Sequence, residues 1–380
     1  MAGSTVRAEV IDSDGHVVEP DTVWKDYAEP AFRERLDVPG GGVQALGMER
    51  AYGAARPAPE GDDEFWAENI GGETWDEESR LKMGRAGGYD PKARLADMDD
   101  EGIDVAVLYP TSMLTWVEEA DLFGAACRAY NNWLRDYCAA APSRLYGVGL
   151  VPVQDYDAAV AEMTRCVNDL GFKAIMIRPA PYLGTKKLNH PDYDRFWAAA
   201  AELGCPIGIH PSPHGDMHNT CRVFGLSDGK ANAIDGLALQ QGITNAFDLQ
   251  MAVAYFTLGG ILERHPKLKV AFLEGTGGWI APMLERFDHQ FKIFGSRDQK
   301  GLPSELFALQ CVISFDPDEV ALAFTVQQLG ADKVLWASDY PHPDAKIPGV
   351  VKELEEAVEL LTPAQQAEVL GASARRFYSL

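Results

Sequence analysis

The apolar and polar positions of this chain alternate between two kinds of segment. Short apolar runs recur at Val10–Ile11, Ile103–Leu108, Leu145–Val151, Lys173–Ile177, Pro206–Ile209, Leu268–Leu273, Cys311–Ser314 and Lys333–Ser338. They are predominantly apolar instead of polar at every second position, which is the signature of strands buried on both faces. Between them lie segments with helical spacing: one opened by Pro91, then about Ala120 to Ala140, and one that puts Val160, Met163, Val167 and Leu170 on one face and closes at Gly171. Further helices are expected at about Asp192–Leu203, from the end of a long connection (211–242) to about Arg264, at Trp279–Phe294, at about Asp318–Leu329, and twice at the C-terminus. Eight strands alternating with helices predict an α/β protein, a parallel (β/α)8 TIM barrel, with a doubly wound open sheet as the competing arrangement. No internal repeat is evident.

One region breaks the rhythm. Residues 20–90 are rich in Gly, Pro and acidic residues, yet carry Trp24, Tyr27, Trp66 and Trp75. Large aromatics are scarce in disordered segments, so the region is expected to be a loop-rich cap on a single domain spanning 1–380.

A barrel makes a statement about chemistry, because barrel enzymes build their sites at the C-terminal ends of the strands. Asp14 and His16 end the first strand, one residue apart and on one side of it; His210 ends the fifth, Glu274 the sixth and Asp339 the eighth. Singly, each has an ordinary reading: a histidine can be held by a backbone carbonyl, and an aspartate in Ser338-Asp339-Tyr340-Pro341 can be a turn residue. Together at one rim they predict a metal site.

Composition narrows the partners. The net charge of −23 gives an acidic surface that repels nucleic acid and anionic lipid. No apolar run reaches the roughly 20 residues that span a bilayer, and Met1–Glu9 lack the apolar core of a secretory signal, so a cytoplasmic protein is expected. The six cysteines (Cys127, Cys138, Cys166, Cys205, Cys221, Cys311) show no Cys-x-x-Cys spacing and are expected to be buried and reduced.

The segments Ile11-Asp12-Ser13-Asp14-Gly15-His16, Ile209-His210-Pro211, Phe272-Leu273-Glu274-Gly275-Thr276-Gly277-Gly278-Trp279 and Trp336-Ala337-Ser338-Asp339-Tyr340-Pro341-His342 resemble the amidohydrolase superfamily. The likeness is to amidohydrolase family 2, the branch of aminocarboxymuconate-semialdehyde decarboxylase and related aromatic-acid decarboxylases and hydrolases. There, strand one offers His-x-His to one divalent metal, strand five a His and strand eight an Asp. Carried over, the resemblance implies Asp14, His16, His210 and Asp339 as ligands, with Asp14 in place of a His. Oxygen donors suit Mn²⁺ and imidazoles suit Zn²⁺, so both metals fit. It also implies a homodimer or higher homo-oligomer, with a small molecule as substrate.

The second departure is Glu274, where the branch commonly has an acid/base His in a His-x-Gly-Gly pattern. Glu274 either does that work with a raised pKa or reaches the metal itself. Three ionised carboxylates around one dication would leave the site negative unless Glu274 is protonated, and Arg178, ending strand four, is either the compensating cation or salt-bridged to a neighbouring acidic residue. His342, His214 and His218 are candidate proton donors, His342 foremost because it follows the Asp339 motif. His190, His265 and His289 are expected to be structural or solvated. Glu19 is either an orienting group behind the strand-one ligands or a surface carboxylate. Trp116 and Trp279 either line a pocket or pack in the core.

These readings point to a metal-dependent hydrolase of a small cyclic or aromatic carboxylated compound, working through a metal-activated water. Hydrolysis is preferred because the strand-six His is missing. Non-oxidative decarboxylation is the close alternative; a hydratase or cyclase and a non-catalytic binding barrel are the others.

Overall fold

The computed structural model describes residues 7–20, 22–36, 84–114, 117, 119–179, 186–211, 234–296 and 298–380; of residues 234–241 it describes the helical backbone. The strands are β1 (Ile11–His16), β2 (Val105–Tyr109), β3 (Leu145–Leu150), β4 (Ala174–Ile177), β5 (Ile207–Ile209), β6 (Val270–Phe272), β7 (Cys311–Phe315) and β8 (Val334–Trp336). They stand side by side in sequence order, every neighbouring pair parallel. The ends meet. Asp339 N donates to Asp14 O at 3.1 Å and His16 N to Tyr340 O at 2.6 Å, so the chain leaving β8 hydrogen-bonds back onto β1. That contact decides for the barrel against the open sheet.

Nearly every strand residue is buried, because the barrel interior covers one face and the helices the other. The α-helices of eight residues or more among the described residues are α1 (Pro91–Glu101), α2 (Ala120–Cys138), α3 (Tyr156–Asn168), α4 (Asp194–Leu203), α5 (Ile234–Phe256), α6 (Ile280–Phe294), α7 (Pro303–Gln310), α8 (Leu322–Leu329) and α9 (Val350–Ala357). Their starts follow side-chain chemistry: Asp90 caps α1 by accepting from Lys92 N, and Asp155 caps α3 by accepting from Asp157 N and Ala158 N.

Two helices depart from the sequence expectation. The helix drawn to Arg264 is broken: α5 ends at Phe256, and a separate turn, Ile261–Arg264, starts after Gly260 at φ +76°. The helix expected from Asp318 begins only at Leu322, because Glu319 is engaged elsewhere, accepting from the N–H groups of Asp316, Gly277 and Gly278. α5 also starts inside the stretch read as connection.

The cap expectation lies largely on residues 37–83, outside the described residues, as do Trp66 and Trp75. Its described flanks pack on the barrel: Trp24 and Val23 are buried, and Tyr137 Oη donates to Gly87 O at 2.5 Å. Cys127, Cys138, Cys166, Cys205 and Cys311 are buried free thiols; Cys221 lies outside the described residues. Among the described residues, no helix is long and apolar enough to cross a membrane.

Beneath the barrel mouth runs the seam between β1 and β8. Asp12, fully buried, accepts from Ser338 N at 3.0 Å and Ser338 Oγ at 2.6 Å, and its Oδ2 lies 3.6 Å from Nη2 of Arg94, a buried residue of α1. Arg94 also donates to His16 O at 2.9 Å and lies 4.1 Å over the Tyr340 ring. Gly15 must lack a side chain here, since a Cβ would stand 2.3 Å from Arg94 Nη2 and 2.5 Å from Asp12 Oδ2.

Candidate metal centre

The β1–β2 register shifts between Asp12 and Gly15. With this irregularity Asp12 serves the seam, while Asp14 and His16 meet at the mouth, His16 Nε2 lying 3.6 Å from Asp14 Oδ1. His210, one residue beyond β5, brings Nε2 to 3.6 Å from Asp14 Oδ2 and 2.8 Å from Glu274 Oε2. Asp339 places Oδ1 3.3 Å from His16 Nε2 and 2.7 Å from His342 Nδ1.

The tautomers follow from the partners. Pro110 O accepts from His16 Nδ1 at 2.7 Å and Pro211 O from His210 Nδ1 at 2.7 Å; a carbonyl only accepts, so both Nδ1 atoms carry hydrogen. Each Nε2 then turns toward the carboxylates, as metal-binding imidazoles are held. Four buried polar atoms converge here: Asp14 Oδ1 and His16 Nε2 have no hydrogen-bond partner, and His210 Nε2 and Glu274 Oε2 have only each other, at 2.8 Å. Buried polar atoms are rarely left so, and four converging ones fit a bound cation.

The donors fall into two overlapping groups. Asp14, His16 and His210 offer atoms within 4.8 Å of one another, and so do His16, Asp339 and His342; His16 belongs to both. The other three expected ligands thus stand around His16, and Asp339 also meets His342.

Electrostatics agree with a site built for positive charge. Burial pushes the Asp14 carboxyl up to about 8, with the Glu274 and Asp12 charges adding and His210 opposing. Asp339 is also pushed well up, by burial first and then by Asp344 and Glu274. Burial works against a charged His210, but Glu274 and Asp14 outweigh it and lift the imidazole to about 9. His16 goes the other way, held far below the usual histidine range by burial and by His342 and His210. Buried carboxylates pushed up and an imidazole lifted by its acidic neighbours make a place where positive charge is favoured.

Backbone conformation is unusual at the same places. Glu274 (φ +51°), Thr276 (φ +53°) and Asp339 (φ +54°) occupy the left-handed region that non-glycine residues avoid. The Glu274 turn is held from two sides: Ser314 Oγ accepts from Glu274 N at 3.3 Å, and Glu319 accepts from Gly277 N and Gly278 N.

Glu19 is buried, not a surface carboxylate, and does not reach Asp14 or His16 directly. It accepts from the N–H groups of Thr111 (3.3 Å), Ser112 (2.8 Å) and Met113 (3.3 Å), fixing the loop after β2. That loop serves three candidates: Pro110 O takes His16 Nδ1, Thr111 Oγ1 lies 2.9 Å from His342 Nε2, and Leu114 O accepts from Arg178 Nη1 at 3.0 Å. Burial pushes the Glu19 carboxyl up to about 6, against the lowering influence of those N–H groups. Folding therefore favours the neutral form; this contribution is complete below about pH 4.5 and lost as the pH rises through about 6. Glu19→Gln, which cannot ionise, is expected to gain about 2 kcal/mol of stability relative to the parent between about pH 4.5 and pH 7. Urea unfolding at both pH values measures it, and an unchanged difference would count against the titration.

Arg178 is buried one residue beyond β4, at the same rim. Trp279 donates Nε1 to Gly275 O at 2.8 Å and is half-buried. His214, His218 and Trp116 lie outside the described residues. His265 pairs with Asp194 at 3.3 Å, His190 Nδ1 accepts from Asp192 N, and His289 is exposed on α6; none joins the centre. Sequence reasoning missed Tyr109, Thr111 and Asn245. Tyr109 ends β2 and stacks on His210 with ring centroids 5.7 Å apart, and the strand-end rule could have found it and Thr111. Asn245 lies within α5, where no such signal exists.

The sequence matches the amidohydrolase family over residues 11–380. It is 26% identical over 300 residues to the 2-amino-3-carboxymuconate-6-semialdehyde decarboxylase of Dictyostelium discoideum, covering 77% of each chain. It is 26% identical over 262 residues to a gamma-resorcylate decarboxylase of Rhizobium sp., covering 65% of this chain and 76% of the relative. The structure resembles, with a TM-score of 0.69 and 22% identity, that of a 5-carboxyvanillate decarboxylase of Novosphingobium aromaticivorans complexed with manganese, covering 100% of this chain and 98% of the other.

Proposed function

The chain belongs to the amidohydrolase family, and we propose that it is a metal-dependent decarboxylase of a hydroxylated aromatic acid. The observation that carries this reading is the convergence of buried Asp14 Oδ1, His16 Nε2 and His210 Nε2 at the barrel mouth, the first two without a hydrogen-bond partner. Decarboxylation takes precedence over hydrolysis because the relatives named above are decarboxylases; the departure at Glu274 is then a change of acid/base group, not of reaction.

Asp14, His16, His210 and Asp339 would hold one divalent ion, Mn²⁺ or Zn²⁺, a mixed oxygen and nitrogen set that suits either. Bound there, the ion would fix and polarise the substrate's oxygens. The protein's own groups do the rest. Arg178 supplies fixed positive charge at the end of β4. His342, held between Asp339 and Thr111 Oγ1, keeps its orientation and, with Asp339, delivers the proton that the ring carbon gains as its bond to the carboxyl carbon breaks and CO2 leaves. Glu274, on the other flank beside His210, receives the proton that a substrate hydroxyl gives up.

Incubation of metal-loaded protein with a panel of hydroxybenzoates is expected to release CO2 with no oxygen from labelled water in the organic product. Incorporation of that label without CO2 would restore hydrolysis by an activated water, and hydration of a double bond would show as an added hydroxyl.

A further inference from the structure

α5 lies directly over the turn that carries Glu274. A Cβ added at Gly275 would stand 2.4 Å from Leu249 Cδ1 and 3.0 Å from the backbone oxygen of Asn245, so the turn passes beneath the helix with no room for a side chain. This contact sets Asn245, 8% exposed, beside the site. Its Nδ2 donates to Glu274 Oε1 at 3.2 Å.

A carboxylate only accepts, so that bond fixes which way the amide faces. The amide oxygen is on the same planar group, next to the Glu274 carboxylate, and Asn245 Oδ1 is buried with no hydrogen-bond partner. An unmatched buried acceptor costs about 1–3 kcal/mol, a cost relieved when a donor arrives. Glu274, to which that amide is bound, also meets His210 Nε2 at 2.8 Å through Oε2, so the unmatched acceptor belongs to a side chain that touches the candidate centre.

We infer that Asn245 is a specificity-determining residue whose Oδ1 accepts a hydrogen bond from a hydroxyl of the substrate, so that α5 selects hydroxylated rings. The inference rests on the reading of the substrate as an aromatic acid and adds the group that recognises the hydroxyl. Sites that hydrogen-bond a substrate hydroxyl discriminate strongly against analogues that lack it, because the acceptor is then left unmatched.

The test is equilibrium binding of 2-hydroxybenzoate and of benzoate to manganese-loaded protein, followed by calorimetry. The parent is expected to prefer 2-hydroxybenzoate. In Asn245→Leu, which keeps the volume and removes both polar atoms, that preference should fall by about 5- to 100-fold. Asn245→Ala carries the same expectation if the leucine variant does not fold.

Equal weakening of both probes would show that Asn245 merely holds Glu274, and would overturn the inference. So would an unchanged preference, or a parent that binds neither probe. The decarboxylase reading stands or falls separately: absence of CO2 release together with a collapsed preference would sink the reaction and keep the role of Asn245, and CO2 release with an intact preference would do the reverse.

Discussion

Replacing His210 by alanine is expected to strip the protein of bound metal and of activity while leaving the barrel folded. His210 is the imidazole on which Asp14 and Glu274 both converge, at 3.6 and 2.8 Å, and its Nδ1 contact to Pro211 O is local. Losing an outer partner of a metal ligand costs roughly 10–100-fold in affinity, and loss of the ligand itself should exceed that. Elemental analysis of purified protein gives the stoichiometry, with circular dichroism as the check on fold. His265→Ala is the control, since His265 pairs with Asp194 away from the centre and should change neither quantity. A His210 variant that retained metal at the parent stoichiometry would mean that the centre lies elsewhere.

The largest stability effect is expected at the seam, where Asp12→Ala should destabilise the fold by about 3–5 kcal/mol, the range for removing one member of a buried ion pair. Both partners are buried, so Arg94 would be left with its charge uncompensated. Ser338 would lose the acceptor for both its N–H and its hydroxyl. Denaturant unfolding reads the difference directly. Lys352→Ala, which removes a 3.6 Å pair with Glu356 on the exposed surface of α9, should cost under about 1 kcal/mol. Comparable losses in the two variants would show that the seam is not where stability concentrates.

Much of this architecture was legible in the residues, and the reason is physical. Strands buried on both faces must be apolar without interruption, so β3 and β7 could be placed to within a residue from their composition alone. The rim rule then brought Asp14, His16, His210, Glu274 and Asp339 together, because a barrel gives every strand end the same destination. What was not legible depends on contacts that local sequence does not encode. The shifted register in β1 separates the tasks of Asp12 and Asp14, although both read alike as aspartates two residues apart. The start of α8 retreats because Glu319 is drawn to the backbone of Gly277 and Gly278, some forty residues earlier. Asn245 belongs to a helix whose position over the Glu274 turn is a matter of packing, visible only once Gly275 is seen beneath it.

The seam also sets an order of events in the life of the chain. Asp12 and Ser338 are 326 residues apart, so Asp14 and His16 are synthesised long before Asp339 and His342. Two of the donors that flank His16 are therefore missing until β8 and the turn after it have been made, and a chain that stops short of them cannot present the full constellation. Such distant pairings form late and slowly in folding. Capture of the proposed ion by all four donors would then follow closure of the barrel instead of guiding it.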